Sequence, residues 1–432
     1  MHVLLVNNLY PPIMAGGAEL VVAYLAEGLV ERGHRATVVS TCGPDMEPYP
    51  AEKRNGVDVL RFFPRNMYWS FAREGQSPVR RALWHLRDAW NRDAARRFRA
   101  ILADGQPDIV HTHVIDGFSA SIWRRARQRG VPVVHTAHDY HLICPRAFLL
   151  TRNWRICTQP TLPCRAYRAW HLHTAADVDL FISPSQFLLD KHREAGLAAR
   201  QTAVVRNGIP TPSLSAPSPS APSPSASCET ASGAACRFLL LCRLTEEKGV
   251  RVVLDAVRRL PPSLRFELTI AGRGPLESVV REAAAADSRV HFAGFVQGSE
   301  KHELLSNADH LLIPSLWYEN APVAVVEAAA YGLGVIGSRI GGIPELVSEG
   351  STGLLFEPGD AAGLATIMHR LATGELALQR LREAAQEVAQ RHAVGPMIEA
   401  YLQHYQSLGV VAARAPADAA PPARSRLQES VG

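Results

Sequence analysis

The stretch of residues 311–327, which reads LLIPSLWYENAPVAVVE, sets the narrowest limit on how this chain can fold. It begins with an apolar run that is typical of a buried strand in a parallel sheet. After a loop, Pro322 suits the first helical position, where the N–H that proline lacks would be unpaired in any case. Val323 and Val326 then fall on one face of a helix. This order of strand, loop and helix predicts an α/β fold with a parallel sheet.

The predicted junction between this strand and helix offers groups that can bind a phosphate or a sugar. The start of a helix presents free N–H groups and the positive end of the helix dipole, both of which favour anions. Glu319 lies in the loop and Glu327 in the helix, and carboxylates accept hydrogen bonds from hydroxyl groups. On geometry alone, the alternative is an ordinary junction with two solvated glutamates.

The start of the chain predicts a doubly wound sheet. Residues 3–6 form an apolar strand, a loop with Gly16 and Gly17 follows, and a helix leads to a second strand at residues 35–40. The turn is too long for the G-x-G-x-x-G pattern of dinucleotide enzymes. The second strand is also not followed by an acidic residue. Both features argue against NAD.

Two further predicted strands end in histidines. The segment DIVHTHV carries His111 and His113, which are two residues apart and therefore share one face of the strand. The segment VVHTAHDYH carries His135 and His138, which point to the same end of the sheet. Ligands gather at the carboxyl ends of parallel strands, so these imidazoles are candidates for a site. A buried structural role is the alternative for each of them.

The second half of the chain repeats this alternation after a break in composition. Residues 212–236 consist mainly of Ser, Pro and Ala, which cannot bury a core, and predict an extended linker. A strand restarts at Phe238. With 432 residues, the chain is long enough for two domains.

Several segments together resemble one enzyme family. SLWYENAPVAVVEAAAYG (315–332), GGIPELV (341–347) and GSTGLLFEPGD (350–360) resemble the E-x7-E region of the retaining glycosyltransferases of family GT4. PPIMAGGAE, HDYHLICPR and CRLTEEKG extend the resemblance over nearly the whole chain. It implies the GT-B fold, in which two Rossmann-like, doubly wound domains face a cleft.

The resemblance also implies a division of the chain. The expected parts are an N-terminal acceptor-side domain (1–210), the linker (211–236), a C-terminal domain that binds the nucleotide sugar (237–393), a helix that crosses back to the first domain (394–411) and a disordered tail (412–432).

The resemblance assigns roles to individual residues. Arg243 and Lys248 would clamp the donor diphosphate, Glu319 would bind sugar hydroxyls, Glu327 would bind the ribose, and His113 would face the sugar near its anomeric carbon. The implied donor-binding residues are Gly16, Gly17, Arg243, Lys248, Glu319, Asn320 and Glu327. The implied catalytic residues are His113, Lys248 and Glu319.

The expected function is that of a retaining glycosyltransferase (EC 2.4) that moves a sugar from a nucleotide sugar to a glycan or lipid-linked glycan in polysaccharide or glycoconjugate biosynthesis. The family resemblance implies no metal and no cofactor. The alternatives are a catalytically silent GT-B protein that binds a sugar nucleotide, and a GT-B sugar-nucleotide epimerase. The sequence does not specify the donor sugar, the nucleotide, the acceptor or the oligomeric state.

The sequence also bears on metals, membranes and location. Cys144, Cys157 and Cys164 have histidines nearby and could hold zinc, but the lack of a C-x-x-C pair favours free thiols. Residues 80–99 combine arginines with tryptophans, as an interfacial helix on anionic lipid would. A surface helix whose arginine stems cover the core edge is the alternative. The net charge of +5 is compatible with either, and we expect no nucleic-acid partner.

The expected location is the cytoplasm, with peripheral contact at the inner membrane face. The first residues resemble a strand rather than a signal peptide. The sequence also contains no apolar run of about 18 residues that would predict a membrane span.

Overall fold

The computed structural model describes residues 1–14, 16–47, 49–72, 75–151, 153–210, 235–376 and 387–410. Of the predicted linker (211–236), only the last two residues fall within these ranges. The predicted tail (412–432) lies outside them. All statements below concern the described residues.

The first sheet has eight strands, and all neighbouring strands are parallel except for one antiparallel pair at the edge. The strands are β1 (His2–Val6), β2 (Arg35–Thr41), β3 (Glu52–Arg54), β4 (Val57–Phe62), β5 (Ile109–Thr112), β6 (Val133–Thr136), β7 (Leu180–Ser183) and β8 (Gln201–Val204). Their order is β3-β4-β2-β1-β5-β6-β7-β8. The helices of this part are α1 (Gly17–Glu31), α2 (Pro78–Ala89), α3 (Arg92–Gly105), α4 (Ser121–Arg127), α5 (Leu162–Thr174) and α6 (Gln186–Glu194).

The second sheet has six strands, all parallel. They are β9 (Cys236–Leu241), β10 (Phe266–Ala271), β11 (Val290–Gly294), β12 (His310–Ile313), β13 (Gly334–Ser338) and β14 (Gly353–Phe356), in the order β11-β10-β9-β12-β13-β14. The helices here are α7 (Val250–Arg259), α8 (Glu277–Ala286), α9 (Gly298–Asn307), α10 (Val323–Ala330), α11 (Ile343–Leu346) and α12 (Ala361–Ala372). The predicted α/β fold with two Rossmann-like sheets is confirmed.

Each sheet has a point where the strand order reverses, and these points place the candidate site. In the first sheet β1 lies between β2 and β5, and in the second sheet β9 lies between β10 and β12. Loops that leave neighbouring strands in opposite directions open a crevice at their carboxyl ends. The loops after β1, β5, β9 and β12 carry Gly16, His113, Lys248 and Glu319.

The last described helix, α13 (Val394–Ser407), packs on the first sheet although it follows the second in the chain. Ile398, Tyr401 and Tyr405 are fully buried in the same hydrophobic cluster as Val3 of β1. The helix falls within residues 394–411, the range in which the family resemblance implies a helix that crosses back.

Residues 80–99 do not form the single helix that the sequence suggests, and this expectation was wrong. The segment spans two helices, α2 and α3, and the break lies at Asn91. The Asn91 side chain accepts hydrogen bonds from the N–H groups of Asp93 and Ala94, both at 3.1 Å. Its amide nitrogen donates to the carbonyl of Pro64 at 2.7 Å. An asparagine that caps a helix in this way begins a new helix at that point.

None of the helices in the described ranges is both long and apolar enough to cross a membrane.

Candidate active site

Lys248 and Glu319 meet at the switch point of the second sheet. Lys248 Nζ lies 2.6 Å from Glu319 Oε1, and both side chains are largely buried, with 18% and 8% of their surface exposed. Lys248 Nζ also lies 5.1 Å from the centre of the Trp317 ring, where a cation is attracted by the aromatic face. Lys248 and Glu319 therefore form a buried, closely spaced ion pair at this switch point.

The turn after Lys248 explains why this pair forms. Gly249 has φ +71°, and a Cβ atom at this position would lie 1.8 Å from the carbonyl oxygen of Pro314. Only glycine, which has no Cβ atom, fits this backbone conformation so close to another segment of the same chain. The amide of Leu316 also donates to the carbonyl of Glu247 at 2.8 Å. The loop after β9 is thus pressed onto the loop after β12, which brings the lysine to the glutamate.

The carboxylate of Glu319 is surrounded by donors. Besides Lys248, Ser315 Oγ donates to Oε1 at 2.7 Å and Trp317 Nε1 donates at 2.8 Å. Burial by itself would raise the pKa of Glu319, but the lysine charge and these hydrogen bonds outweigh it and lower the pKa below 4.5. Glu319 is therefore ionised and held in one orientation. Sequence reasoning missed Ser315 and Trp317. They precede Glu319 by four and two residues, and side chains at this spacing share one face of an extended segment.

Arg243 stands on the same loop as Lys248 but is held less tightly. Its guanidinium lies 3.5 Å from Glu247 Oε1, and 54% of the side chain is exposed. Long side chains with this much freedom can turn towards an anionic ligand at little cost, and a guanidinium binds phosphate oxygens in pairs.

The paired glycines bring a helix of the first domain against the second domain. The N–H of Gly16 donates to Glu19 Oε2 at 2.9 Å and closes the start of α1. A Cβ atom on Gly17 would lie 3.3 Å from Cγ2 of Val323, the first residue of α10. The starts of α1 and α10 are therefore neighbours across the cleft.

His113 lies directly after β5 and is almost fully buried. Its Nδ1 is 2.9 Å from Nε2 of His138, and its Nε2 has no hydrogen-bond partner within the part of the chain that the structure describes. Burial lowers the pKa of His113 well below 6.5, and the neighbouring imidazoles of His111, His138 and His135 lower it further. His113 is therefore a neutral imidazole whose Nε2 is buried and unpaired among the described residues.

His111 is used differently, although its ring lies only 4.1 Å from that of His113. The Nδ1 atom of His111 is 2.7 Å from the hydroxyl of Tyr405, and its Nε2 is 2.8 Å from Oγ1 of Thr136. Both nitrogens are thus occupied inside the protein, and the residue joins α13 to the first sheet. His113, His135, His138 and His141 line a cavity of about 10 Å³, which is space for about one water molecule.

Asn320 connects the two domains. Its Nδ2 donates to the carbonyl oxygen of His138 at 2.6 Å. Its Oδ1 is buried and has no partner among the described residues. In this structure the amide nitrogen is therefore hydrogen-bonded to the first domain, and the oxygen is the side-chain atom that has no hydrogen-bond partner among the described residues.

Glu327 lies apart from Glu319, on α10, and lines a cavity of about 260 Å³ between the two domains. Its Oε1 is 2.6 Å from Lys301 Nζ, and the two side chains are partly exposed. Leu20 and Tyr24 of α1 line the same cavity from the first domain. The cavity is large enough for a ring-sized ligand, and a ribose that reached Glu327 would have to share the carboxylate with Lys301 or displace it.

A second contact between the domains was not predicted. The carboxylate of Glu345 accepts from the backbone N–H of Gln186 at 2.9 Å and from that of Phe187 at 2.6 Å. These are the first two N–H groups of α6, where a negative charge is favoured. The sequence marked Glu345 only as part of GGIPELV, since its partners lie more than 150 residues away.

The structure does not gather Cys144, Cys157 and Cys164 into a metal site. The only group of potential metal ligands within the described ranges consists of Asp88, Asp116 and His141. His141 Nδ1 lies 2.8 Å from Asp116 Oδ1. Burial lowers the pKa of His141, but the charge of Asp116 and its hydrogen bond raise it to about 9. His141 and Asp116, two of the three residues of this group, therefore form a buried ion pair.

Two family models match the chain. Residues 15–212 match the model described as Glycosyltransferase Family 4, and residues 235–374 match the model described as Glycosyl transferases group 1. A 42.6 kDa protein in the cps region of Klebsiella pneumoniae is 30% identical over 351 residues, which cover 80% of this chain and 87% of that protein. The amylovoran biosynthesis glycosyltransferase AmsK of Erwinia amylovora is 41% identical over 148 residues, or 32% of this chain and 36% of AmsK.

Solved structures share the fold over nearly the whole chain. Anabaena HepE, crystallised with UDP, aligns with a TM-score of 0.68 at 20% identity and covers 94% of this chain and 100% of its own. A glycosyltransferase from Rickettsia africae aligns with a TM-score of 0.67 at 17% identity, covering 94% and 98%. The chain therefore belongs to the group 1, family 4 glycosyltransferases, and its two parallel-sheet domains have the GT-B fold.

Proposed function

We propose that this protein is a retaining glycosyltransferase that transfers a sugar from a nucleoside-diphosphate sugar to a glycan or lipid-linked glycan during polysaccharide biosynthesis. One observation carries the proposal. A chain of contacts runs across the cleft from Lys248 to Glu319, through the adjacent Asn320 to His138, and on to His113. A cation for a diphosphate and a neutral imidazole for a sugar are thereby held in one connected arrangement.

The printed names of similar proteins support the choice of substrate class. One relative belongs to a cps region and another to amylovoran biosynthesis. HepE was crystallised with UDP and with UDP-glucose.

The donor diphosphate is assigned to Lys248 and Arg243. The leaving diphosphate gains negative charge as the bond to the sugar breaks, so cations fixed beside it stabilise the transition state more than the ground state. Because Lys248 is already held by Glu319, it needs no reorganisation when that charge develops. These two cations would neutralise the diphosphate in a metal-independent reaction, which a chelator titration tests.

The transfer step needs no nucleophile from the protein. The acceptor hydroxyl oxygen attacks the anomeric carbon on the face from which the diphosphate leaves, so the configuration is retained. The bond from the anomeric carbon to the phosphate oxygen breaks, the bond to the acceptor oxygen forms, and a phosphate oxygen takes the acceptor proton. His113, neutral at physiological pH, forms a hydrogen bond with a sugar hydroxyl through Nε2.

The experiment is a panel of sugar nucleotides, assayed for transfer, for donor hydrolysis and for conversion to an isomeric sugar nucleotide. Lys248→Ala should abolish most turnover while Lys53→Ala, which removes an exposed lysine of the edge strand β3, should not. The anomeric configuration of the first product, read by NMR, tests retention. Binding without turnover would indicate a silent binding protein, and an isomerised donor would indicate an epimerase.

We also propose that a face on the first domain contacts an anionic membrane. This docking face is formed by α2 and α5, whose neighbouring ends are joined by a hydrogen bond of 2.9 Å from Trp170 Nε1 to the carbonyl of Ala89. Its exposed apolar residues are Val79, Leu83, Leu86, Leu162 and Trp170, and its exposed basic residues are Arg80, Arg81, Arg87 and Arg165. Apolar side chains among arginines match a bilayer surface with anionic headgroups.

Flotation with phosphatidylglycerol vesicles and with phosphatidylcholine vesicles tests the docking face. The protein should float with the anionic vesicles only, and the double substitution Leu83→Asp and Leu86→Asp should abolish this. Phe295→Asp is the control, because Phe295 is an exposed aromatic residue of the second domain. Equal flotation of the double variant and the wild type would reject the proposal.

A further inference from the structure

His113 is held between two other imidazoles. The ring of His111 lies 4.1 Å from it and the ring of His138 lies 5.1 Å from it, with the His138 ring inclined by only 25°. His138 adds the 2.9 Å contact between its Nε2 and Nδ1 of His113. The orientation of His113 is therefore set by stacking on one side and by a hydrogen bond on the other.

The contact with His138 also links the tautomer of His113 to that of His138. Burial lowers the pKa of His138 to about 4 and that of His113 well below 6.5, so both rings are neutral near neutral pH. A neutral imidazole has one N–H donor and one acceptor nitrogen. If Nδ1 of His113 donates to His138, its Nε2 is an acceptor. If His138 donates, Nε2 of His113 is a donor.

The second domain holds His138 in place. Asn320 Nδ2 donates to the carbonyl of His138 across the cleft, and the loop that carries Asn320 is itself fixed. The N–H of Gly342 donates to the carbonyl of Glu319 at 2.7 Å. A Cβ atom on Gly342 would lie 1.9 Å from the carbonyl oxygen of Asn320, so the close packing of this loop requires glycine.

We propose that His138 is a positioning residue that fixes the orientation and the tautomer of His113, and that Asn320 sets His138 from the opposite domain. Closure of the cleft and the orientation of the His113 ring are then coupled, because Asn320 of the second domain holds His138, and His138 orients that ring. This inference rests on the role of His113 in the proposed transfer reaction, and it adds His138 as a residue that acts through His113, together with a positioning role for Asn320 beside its implied part in donor binding.

The first test compares His138→Ala with His138→Gln. His138→Ala should lower kcat by roughly 10- to 100-fold, the scale for a misplaced catalytic group, while the donor KM changes by less than about threefold. His138→Gln should recover much of the loss, since its amide can reach the place of Nε2. His192→Gln is the matched control, because His192 is also buried and neutral, with a pKa lowered to about 4 by burial, but its hydrogen bond within the described residues goes to the Leu188 carbonyl and its ring packs on Phe181 and Tyr140 rather than on His113.

The second test reads the tautomer directly in the free protein. With ¹⁵N-labelled histidine, the Nδ1 and Nε2 shifts of His113, assigned by their loss in His113→Asn, should indicate one tautomer in the wild type and a mixture in His138→Ala. Asn320→Ala should lower kcat several-fold in the wild-type background. It should have no further effect on kcat in His138→Ala, where no imidazole remains to be oriented, although its effect on donor binding can persist there.

Two outcomes would overturn the inference. One is a folded His138→Ala variant with wild-type kcat and an unchanged His113 tautomer. The other is a double variant in which kcat falls by the product of the factors measured for Asn320→Ala and His138→Ala alone. A wild-type protein that transfers no sugar would refute the proposed function instead, and the tautomer measurement would still decide the positioning role.

Discussion

Replacement of Lys248 by methionine tests the ion pair at the centre of the candidate site. Methionine keeps most of the apolar stem and removes the charge. Glu319 would then remain buried, with only the neutral donors Ser315 and Trp317 on its Oε1. A carboxylate that loses its counter-charge inside a protein is strongly destabilising, because it can no longer be solvated by water.

The structure sets the size of the effect. Removal of one partner of a buried ion pair costs about 3–5 kcal/mol. The two hydrogen bonds that remain, and the 18% exposure of Lys248, place this case at the lower end, about 3 kcal/mol. At about 2–4 °C for each kcal/mol in a domain of this size, the melting transition should fall by roughly 6–12 °C near neutral pH.

The effect should depend on pH in a defined direction. In the wild type the pKa of Glu319 lies below its usual 4.5. The stability it contributes is therefore present above about 4.5 and is lost as pH falls through the lower folded pKa. Without Lys248, burial dominates and raises the pKa of Glu319, so the variant loses stability as pH rises above 4.5. The difference in melting temperature should therefore be largest near pH 7, should narrow as pH falls to 4.5, and should become small only below the folded pKa of Glu319 in the wild type.

Differential scanning calorimetry of both proteins across this pH range is the assay. Lys301→Met is the matched control, because the Lys301–Glu327 pair is more exposed, at 29% and 21%, and its loss should cost about 1 kcal/mol or less. The reasoning is refuted if Lys248→Met and the wild type have the same melting temperature near pH 7. It is also refuted if their melting temperatures differ by as much at pH 4.5 as at pH 7.

Three further predictions concern the cleft and the first domain. His113→Ala should reduce transfer by about 10²-fold and leave binding of the bare nucleoside diphosphate intact, whereas His111→Ala should act mainly by lowering the melting temperature; a transfer assay paired with calorimetry distinguishes them. Glu327→Ala should weaken nucleotide binding by about 1.5–3 kcal/mol, and unchanged affinity by titration calorimetry would remove Glu327 from the ribose site. The pKa of His141 is raised to about 9 beside Asp116, so its stabilisation is complete below about 6.5 and is lost as pH rises through 9. Chemical denaturation should show a fall of up to about 3 kcal/mol over that range, which His141→Gln should remove.

The fold was predictable from the sequence because it depends on local patterns. Apolar runs of four to six residues and helical spacing between them specify strands and helices without knowledge of distant contacts. The strand predicted at 311–314 lies at His310–Ile313, a shift of one residue. The break at Asn91 was missed because the hydrophobic pattern continues through it, and only the cap geometry ends one helix and starts the next.

The site was predictable only in part, because its contacts join residues that are far apart in the chain. Asn320 and the His138 carbonyl are 182 residues apart, and Lys301 and Glu327 are 26 apart. A motif names Asn320 and Glu327 but does not specify what else reaches them. The roles assigned to the donor-binding and catalytic residues, and the domain boundaries, remain predictions.

The two sides of the cleft differ in charge, and this difference suits the proposed reaction. On the second domain, Lys248 and Arg243 supply positive charge where a diphosphate would lie. On the first domain, burial lowers the pKa of His111, His113 and His138, so each is neutral at physiological pH. A protonated His113 would place a cation beside an anomeric carbon that becomes positive in the transition state, which would raise the barrier. The cluster of imidazoles prevents this, since protonation of any one of them is opposed both by burial and by its neighbours. The charged His141 lies in the same part of the fold, but Asp116 neutralises it at 2.8 Å, so these imidazoles leave no uncompensated positive charge on the first-domain side of the cleft.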